Sequence, residues 1–148
     1  ILQAWEGVQW PGRLEVISTQ PLIILDGAHN PHAVAPLVAT MKERYGQLDK
    51  QVLFTCIQTK AIEEMLELWS GLEKSQLTLT TFEDSRAYSV RDMQEIAHQK
   101  GLPYQEWKVF LTQYLERKSQ QSDLLLVTGS LYFLAQVRAF LIEEISRR

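Results

Sequence analysis

The chain has 148 residues, of which 45% are hydrophobic and 22% charged, and its net charge is −3. These values are ordinary for one compact soluble domain, and the mild negative charge argues against a nucleic-acid-binding surface. The single cysteine, Cys56, excludes an internal disulfide framework and indicates a reduced, cytoplasmic setting, and no apolar run is long enough to span a membrane. Because the chain starts with Ile1 rather than methionine, we expect it to be a piece of a longer polypeptide.

Short apolar runs alternate with longer segments of helical periodicity along the chain. In chain order, the predicted elements are strand 14–18, strand 22–25, helix 31–45, strand 52–57, helix 62–72, strand 77–81, helix 89–101, helix 107–115, strand 123–128 and helix 131–145. Crossovers of this length favour parallel strand connections. The sequence therefore predicts an α/β fold, with a mostly parallel sheet and helices on both of its faces.

Local signals support these boundaries. The continuous apolar runs 22–25 and 124–127 are typical of strands buried on both faces, and we expect the second to be central. Asn30 is a predicted helix cap, followed by Pro31 at the first helical position, where the missing N–H has no cost. Ser89 caps a later helix in the same way. On the last helix, we predict that Leu131, Leu134, Leu141 and Ile145 form the inner face.

In parallel sheets, ligands bind beyond the carboxyl ends of the strands, which directs attention to the turns at 26–31, 58–61 and 128–130. In the first turn, Asp26 ends a buried strand and Gly27 allows a tight backbone, so the carboxylate could accept hydrogen bonds from a ribose. His29, next to a helix start, could donate or accept toward a ligand when neutral. Alternatively, Asp26 forms an Asx turn and Asn30 is only a cap.

Three further positions are open to two interpretations. Ser130, at the start of the last helix, suits a ligand carboxylate or phosphate, but it equally suits capping. Arg13, after a Pro-Gly turn, could bind an anion or simply be solvated. Lys60, after the second buried strand, has the same two interpretations.

Several common site motifs are absent from the sequence. It contains no glycine-rich phosphate-binding loop, no Gly-x-Gly-x-x-Gly and no cysteine–histidine cluster with metal-ligand spacing. No serine has a credible histidine and aspartate beside it in the sequence pattern. By itself, the chain is therefore not expected to hold a triphosphate in the usual way or to bind a metal.

Three motifs in order resemble those of folylpolyglutamate synthases and their bifunctional dihydrofolate synthase relatives, in the Mur ligase superfamily. They are Trp10-Pro11-Gly12-Arg13-Leu14-Glu15, Asp26-Gly27-Ala28-His29-Asn30-Pro31 and Thr128-Gly129-Ser130-Leu131-Tyr132. The resemblance extends from Trp10 to the final helix. It implies that residues 1–148 form one Rossmann-like C-terminal ligase domain, and that an N-terminal ATPase domain with the P-loop is absent from this chain.

The resemblance also implies an activity, its small molecules and its partner. ATP, with Mg²⁺ held by the absent domain, phosphorylates the γ-carboxylate of a folate, and the amine of L-glutamate attacks the acyl phosphate. The implied partners are these substrates and the ATPase domain of the same polypeptide, with no nucleic acid and no membrane. The isolated domain is expected to be inactive, because each half of the ATP site lies on a different domain.

Residue by residue, the resemblance implies that Arg13 faces the ATP phosphates, that Asp26 holds the ribose and that Asn30 supports the same turn. It implies that His29 and Ser130 hold the incoming glutamate.

The segment 57–61 departs from the family pattern and keeps only Lys60 as a candidate substrate contact. If the roles implied by the resemblance are right, Arg13, Asp26, His29 and Ser130 must converge at one rim of the sheet.

Three other interpretations remain open. The chain could belong to another Mur-type ligase acting on a cell-wall precursor, although the residue sequence of the Asp26–Pro31 motif, which is of the folate-ligase type, argues against this. It could be a freestanding nucleotide-binding module with a flavodoxin- or receiver-like sheet, although a receiver needs a further acidic pair and a late lysine. An oligomerisation domain would need an exposed apolar stripe that the sequence does not contain.

Overall fold

The structure, a computed structural model, describes residues 12–117 and 123–148 of the chain. Its strands are β1 (Glu15–Thr19), β2 (Leu22–Asp26), β3 (Asp49–Thr55), β4 (Ser75–Leu79) and β5 (Asp123–Gly129). Its helices are α1 (Pro31–Tyr45), α2 (Ile62–Ser70), α3 (Val90–Lys100), α4 (Trp107–Glu116) and α5 (Leu131–Ser146). The Trp10-Pro11 part of the first sequence motif lies outside the described residues.

The five strands form one sheet in the order β1-β2-β5-β3-β4. β2, β5, β3 and β4 run parallel to one another, and only β1, at the edge, runs antiparallel to its neighbour β2. This confirms the predicted mostly parallel sheet and the central place of the strand that contains the apolar run 124–127.

Helices cover both faces of this sheet, as the sequence predicts. Helices α1, α2 and α3 pack on one face, in a cluster that includes Ile24, Val34, Met41, Phe54, Met65, Met93 and Leu126. Helices α4 and α5 pack on the other face, in a cluster that includes Ile23, Leu25, Trp107, Leu111, Leu125, Phe133 and Leu141. Because successive residues of β2 and β5 enter opposite clusters, every position of the runs 22–25 and 124–127 within these strands is apolar.

Strand β3 differs from its predicted bounds, since it covers Asp49–Thr55 rather than 52–57. Its early start depends on Lys50, a buried lysine whose ammonium donates hydrogen bonds to the carbonyl oxygens of Tyr45 (3.2 Å) and Leu48 (2.8 Å). These carbonyls, at and just beyond the end of α1, satisfy the buried charge, so a polar residue can continue the strand. Ile57 lies past the strand in an isolated bridge to Ala87.

The predicted inner face of the last helix is wrong at Leu131, which is 55% exposed. Leu131 is the first residue of α5, and its side chain covers the backbone of Gly12 and Gly27 instead of entering the core. A Cβ atom at either glycine would collide with this leucine, so the two glycines are needed for its close approach.

An ion pair connects α5 to the edge strand β1. Arg138 donates from Nη2 to Oε1 of Glu15 (2.5 Å) and from Nε to Oε2 (3.1 Å), and the backbone N–H of Gly12 donates to the same carboxylate (3.1 Å). The hydrogen bonds from Arg138 lower the pKa of Glu15 below its usual value of 4.5, against the opposing effect of burial. The pair therefore fixes the segment that leads into β1.

Replacing Arg138 with methionine should lower the free energy of unfolding by about 1–2 kcal/mol at pH 7. The pKa of Glu15 is lower in the folded protein than in the unfolded chain. The stabilisation is therefore present at pH values above the pKa that Glu15 has in the unfolded chain, and it is lost as the pH falls through its pKa in the folded protein. Urea denaturation across this pH range should show the two proteins converging in acid. Arg147→Met, which breaks an exposed pair with Glu143, is the control with little effect. A difference independent of pH would contradict this account.

Candidate functional site

The parallel strands bring the predicted turns to one edge of the sheet. Asp26 of β2 pairs with Thr128 of β5, and Gly129 of β5 pairs with Thr55 of β3. The segments that follow these strands therefore leave the sheet at its carboxyl edge, side by side. This is the edge at which open α/β sheets bind ligands.

A cavity of about 1010 Å³ opens at this edge between β1, the β2–α1 turn, the side of α1 and the start of α5. Its lining includes Gly12, Arg13, Leu14, Asp26, Gly27, His29, His32, Pro36, Thr40, Arg44 and Leu131. Three of the predicted site residues, Arg13, Asp26 and His29, thus line one cavity. A volume of this size accommodates a nucleotide-sized molecule.

The buried carboxylate of Asp26 connects the two segments that form the floor of the cavity. Its Oδ2 accepts a hydrogen bond from the backbone N–H of Leu14, and its Oδ1 accepts one from Ala28, both at 3.0 Å. Leu14 has a φ of 45°, in the left-handed region that is rare for leucine. The N–H of Gly27 donates to the carbonyl oxygen of Gly12 (2.6 Å) and completes the connection.

Burial raises the pKa of Asp26, and the two backbone N–H groups and the nearby Arg13 oppose this rise. The Asx turn expected as the alternative is present, in the bond from Ala28. Each oxygen has further acceptor capacity, because a carboxylate offers about four lone-pair positions and two are used. A buried acceptor of this kind favours a ligand that supplies hydroxyl donors.

Arg13 and His29 are exposed beside this carboxylate. The Nδ1 atom of His29 lies 2.9 Å from the carbonyl oxygen of Gly27. Because a carbonyl only accepts, this contact places a proton on Nδ1 and leaves Nε2 of the neutral ring as an acceptor. The site thus combines a permanent cation, a buried carboxylate and an oriented imidazole.

Asn30 and Ser130 lie at the same edge as helix caps. The Oδ1 of Asn30 accepts from the N–H of Ala33 (2.9 Å), and the Oγ of Ser130 accepts from the N–H of Tyr132 (3.2 Å). Asn30 is exposed and Ser130 is buried, and neither is among the residues that line the cavity. Leu131, directly after Ser130, does line it.

Lys60 is exposed on the turn after β3 and lies outside the cavity. Tyr88 fixes this turn, since its hydroxyl accepts from the N–H of Thr59 (3.1 Å) and donates to the carbonyl oxygen of Thr59 (2.8 Å). Lys60 therefore lies at the carboxyl edge of the sheet, but not in the cavity that contains Arg13 and Asp26.

The sequence interpretation missed the contribution of α1 to the cavity wall. His32, Pro36 and Thr40, together with Arg44, follow one another at intervals of four residues and line the cavity along the helix. This spacing on one helix face was the signal that could have identified them. His32 is an exposed residue of this cavity wall.

Within residues 12–117 and 123–148, no group of three or more histidine, cysteine, aspartate or glutamate side chains could hold a metal ion. In the same ranges, no helix has the length and apolar character needed to cross a membrane.

Comparisons of the sequence and of the structure with known proteins both return proteins named as folylpolyglutamate synthases. The chain is 30% identical over 129 residues to the dihydrofolate synthase/folylpolyglutamate synthase of Bacillus subtilis (strain 168), covering 87% of this chain and 30% of the relative. A Yersinia pestis bifunctional folylpolyglutamate synthase/dihydrofolate synthase complexed with AMPPNP and Mn superposes with a TM-score of 0.75 at 27% identity, covering 94% of this chain and 33% of the other. A bifunctional folylpolyglutamate synthase/dihydrofolate synthase with Mn, AMPPNP and L-glutamate bound gives 0.73 at 28%, covering 90% and 32%.

The chain thus spans about a third of the length of the proteins that it matches. Its similarity to them covers 87–94% of this chain. The model of the family described as "Mur ligase, glutamate ligase domain" matches residues 12–131, and the chain accordingly belongs to this family.

Proposed function

We propose that the chain is the C-terminal domain of an ATP-dependent ligase that adds L-glutamate to the γ-carboxylate of a folate. The observation that carries this proposal is the meeting of Arg13, Asp26 and His29 in one cavity at the carboxyl edge of the sheet. The relatives named as folate ligases and the similar structure with AMPPNP and L-glutamate bound support it.

The proposal makes residues 1–148 one domain that acts with an N-terminal ATPase domain of the same polypeptide. That domain supplies the P-loop and the Mg²⁺ ligands, consistent with relatives about three times as long as this chain. We place the ligase in the cytoplasm, a reducing setting in which Cys56, buried in this domain, stays a free thiol.

The residues of this chain supply positioning and charge, which is what phosphoryl transfer needs from a protein. The guanidinium of Arg13 neutralises charge on the ATP phosphates, and the carboxylate of Asp26 accepts hydrogen bonds from the ribose. Asn30 keeps the turn between them and α1 in place through its cap. ATP supplies the phosphoryl group that activates the folate γ-carboxylate as an acyl phosphate.

His29 and Ser130 hold the incoming glutamate in this proposal. The amine nitrogen forms the new bond to the acyl carbon, the C–O bond to phosphate breaks, and phosphate leaves with the electron pair. His29 presents Nε2 as an acceptor for an amine proton, and Ser130 retains its hydroxyl proton as a donor. Lys60, exposed at the same edge, is a candidate contact for a substrate carboxylate.

Assays of the complete polypeptide and of the isolated chain test this function. We expect the complete polypeptide to release ADP only when a folate and L-glutamate are both present, and the isolated chain to release none. ADP release by the isolated chain would contradict the division of the ATP site between two domains. Activity with a nucleotide-linked cell-wall precursor and none with a folate would instead favour another Mur-type ligase.

A further inference from the structure

Arg13 lies in a backbone segment that is left-handed on both sides of it. Gly12, before it, has a φ of 78°, and Leu14, after it, has a φ of 45°. A glycine adopts this region freely, but a leucine does so only when the surrounding contacts enforce it. Such enforced conformations are concentrated at functional sites. The contacts that hold residues 12–14 therefore indicate what keeps the Arg13 guanidinium in place.

Hydrogen bonds attach this segment to its surroundings at three points. The backbone N–H of Leu14 donates to Asp26, and the carbonyl oxygen of Gly12 accepts from the N–H of Gly27. Both of these bonds connect the segment to the turn after β2. The third bond runs from the N–H of Gly12 to Oε1 of Glu15 (3.1 Å). The Glu15 carboxylate thus fixes the start of the segment that carries Arg13.

The Glu15 carboxylate is in turn held by α5. Arg138 donates to both of its oxygens, from Nη2 to Oε1 (2.5 Å) and from Nε to Oε2 (3.1 Å). Leu131, seven residues earlier and therefore about two turns away on the same side of α5, covers Gly12 itself. One side of α5 therefore holds both the start of the segment and the carboxylate that binds it.

Arg138 acts on the cavity from outside it. Residues 12–14 line the cavity, whereas Glu15 and Arg138 do not. The structure thus gives Arg138 a route to the cavity only through the Glu15 carboxylate and the backbone that it binds. A cation neutralises charge most effectively when its position is fixed before the ligand binds, because binding then costs no free energy for ordering it.

We infer that Arg138, acting through Glu15, is a positioning residue that holds Arg13 toward the phosphates of the bound nucleotide. This rests on the proposed function of the chain as a domain of an ATP-dependent ligase. The ion pair restrains the carboxylate, and the carboxylate restrains the N–H of Gly12, from which the next residue projects. Without the pair, the segment keeps its two bonds to the turn after β2, but its start is free and the guanidinium of Arg13 spreads over several positions.

The test is Arg138→Met in the complete polypeptide, assayed with each substrate varied in turn. We expect KM for ATP to rise about tenfold, with kcat and the KM values for L-glutamate and the folate changed less than about threefold. Arg138→Lys should recover part of the loss, because an ammonium still pairs with Glu15 but lacks the planar two-bond arrangement.

Arg117→Met is the matched control. Arg117 donates from Nη2 to Oδ2 of Asp123 (2.8 Å), in an ion pair at the start of β5 and therefore at the opposite edge of the sheet from the cavity. Its loss removes a guanidinium–carboxylate pair without touching the segment that carries Arg13. We expect it to leave all four kinetic values unchanged.

A double-mutant cycle with Arg13 separates positioning from general stabilisation. In an Arg13→Ala background, Arg138→Met should lower kcat/KM for ATP less than about twofold further, since no guanidinium is left to be positioned. If the two residues acted independently, their losses would multiply, and the double variant would lose about tenfold more than Arg13→Ala alone.

Each other outcome separates this inference from the proposed function. Multiplied losses in the double variant, an unchanged KM for ATP in Arg138→Met, or an equal rise in Arg117→Met would each overturn the inference while leaving the ligase function standing. A rise in KM for glutamate or the folate as large as that for ATP would do the same. A wild-type polypeptide that does not ligate glutamate would overturn the proposed function and this inference together.

Discussion

Replacing Arg13 with alanine in the complete polypeptide should lower kcat/KM for ATP in the ligation about 100-fold. In our account, Arg13 is the cation that this domain contributes to the ATP phosphates, and it lies beside the buried carboxylate that holds the ribose. Arg13 is exposed, so its removal should leave thermal unfolding unchanged. Asp26 is less suitable for this test, because its carboxylate also accepts from Leu14 and Ala28 and its loss would perturb the fold.

Arg44→Ala is the matched control for Arg13. Arg44 lines the same cavity, but it lies near the other end of α1, about 20 Å along the helix from Pro31. We expect it to change kcat/KM less than about threefold, since a change of charge far from the phosphates has little effect in salt. A larger loss in Arg44→Ala than in Arg13→Ala would reverse the direction of the bound nucleotide and contradict our assignment.

Replacing Gly129 with alanine should lower the free energy of unfolding of the chain by about 3–5 kcal/mol. Gly129 ends the central strand β5 with a φ of 137°, a conformation that residues with a side chain rarely adopt. A Cβ atom there would overlap the backbone carbonyl oxygen of Thr55 on β3, and neither strand can move without disturbing the sheet. Urea denaturation measures the loss.

Gly101→Ala separates backbone strain from this collision. Gly101 ends α3 with a φ of 66°, and no atom lies within 4 Å of the position that its Cβ would take. We expect it to cost about 1 kcal/mol, because only the left-handed conformation is penalised. If Gly129→Ala and Gly101→Ala lowered the free energy of unfolding equally, the collision with Thr55 would add nothing to the cost of the backbone conformation.

Local chemistry made most of the fold predictable. Asn30 and Ser89 accept from the backbone N–H groups of Ala33 and Asp92, as their place before helical segments predicted. The apolar runs of β2 and β5 predicted strands buried on both faces, and their parallel pairing then placed Asp26 beside Thr128.

The deviations come from side-chain contacts or backbone conformations that the pattern of apolar and polar residues does not reveal. Lys50 looks like the end of a loop in the sequence, and only the carbonyls beyond α1 make it a buried strand residue. Leu131 has the spacing of a core residue, but Gly12 and Gly27 provide a surface for it at the edge of the sheet. The left-handed φ of Leu14, which directs its N–H to Asp26, has no sequence signal because leucine seldom adopts it.

The sequence indicated part of the cavity lining, but not its full extent, and Asn30, Lys60 and Ser130 lie outside the lining. Arg13, Asp26 and His29 were identified from the turns around β1 and β2, and the structure places them in one cavity. The wall that α1 contributes was not identified, because its four-residue spacing becomes a cavity wall only where β1 and the start of α5 pack beside it.

A crystal structure of the complete polypeptide with AMPPNP and Mg²⁺ tests the central claim most directly. Our account predicts a phosphate oxygen within hydrogen-bonding distance of the Arg13 guanidinium, about 2.7–3.2 Å, and the ribose hydroxyls facing Asp26. A nucleotide bound with both side chains turned away from it, or at the opposite edge of the sheet, would contradict the account.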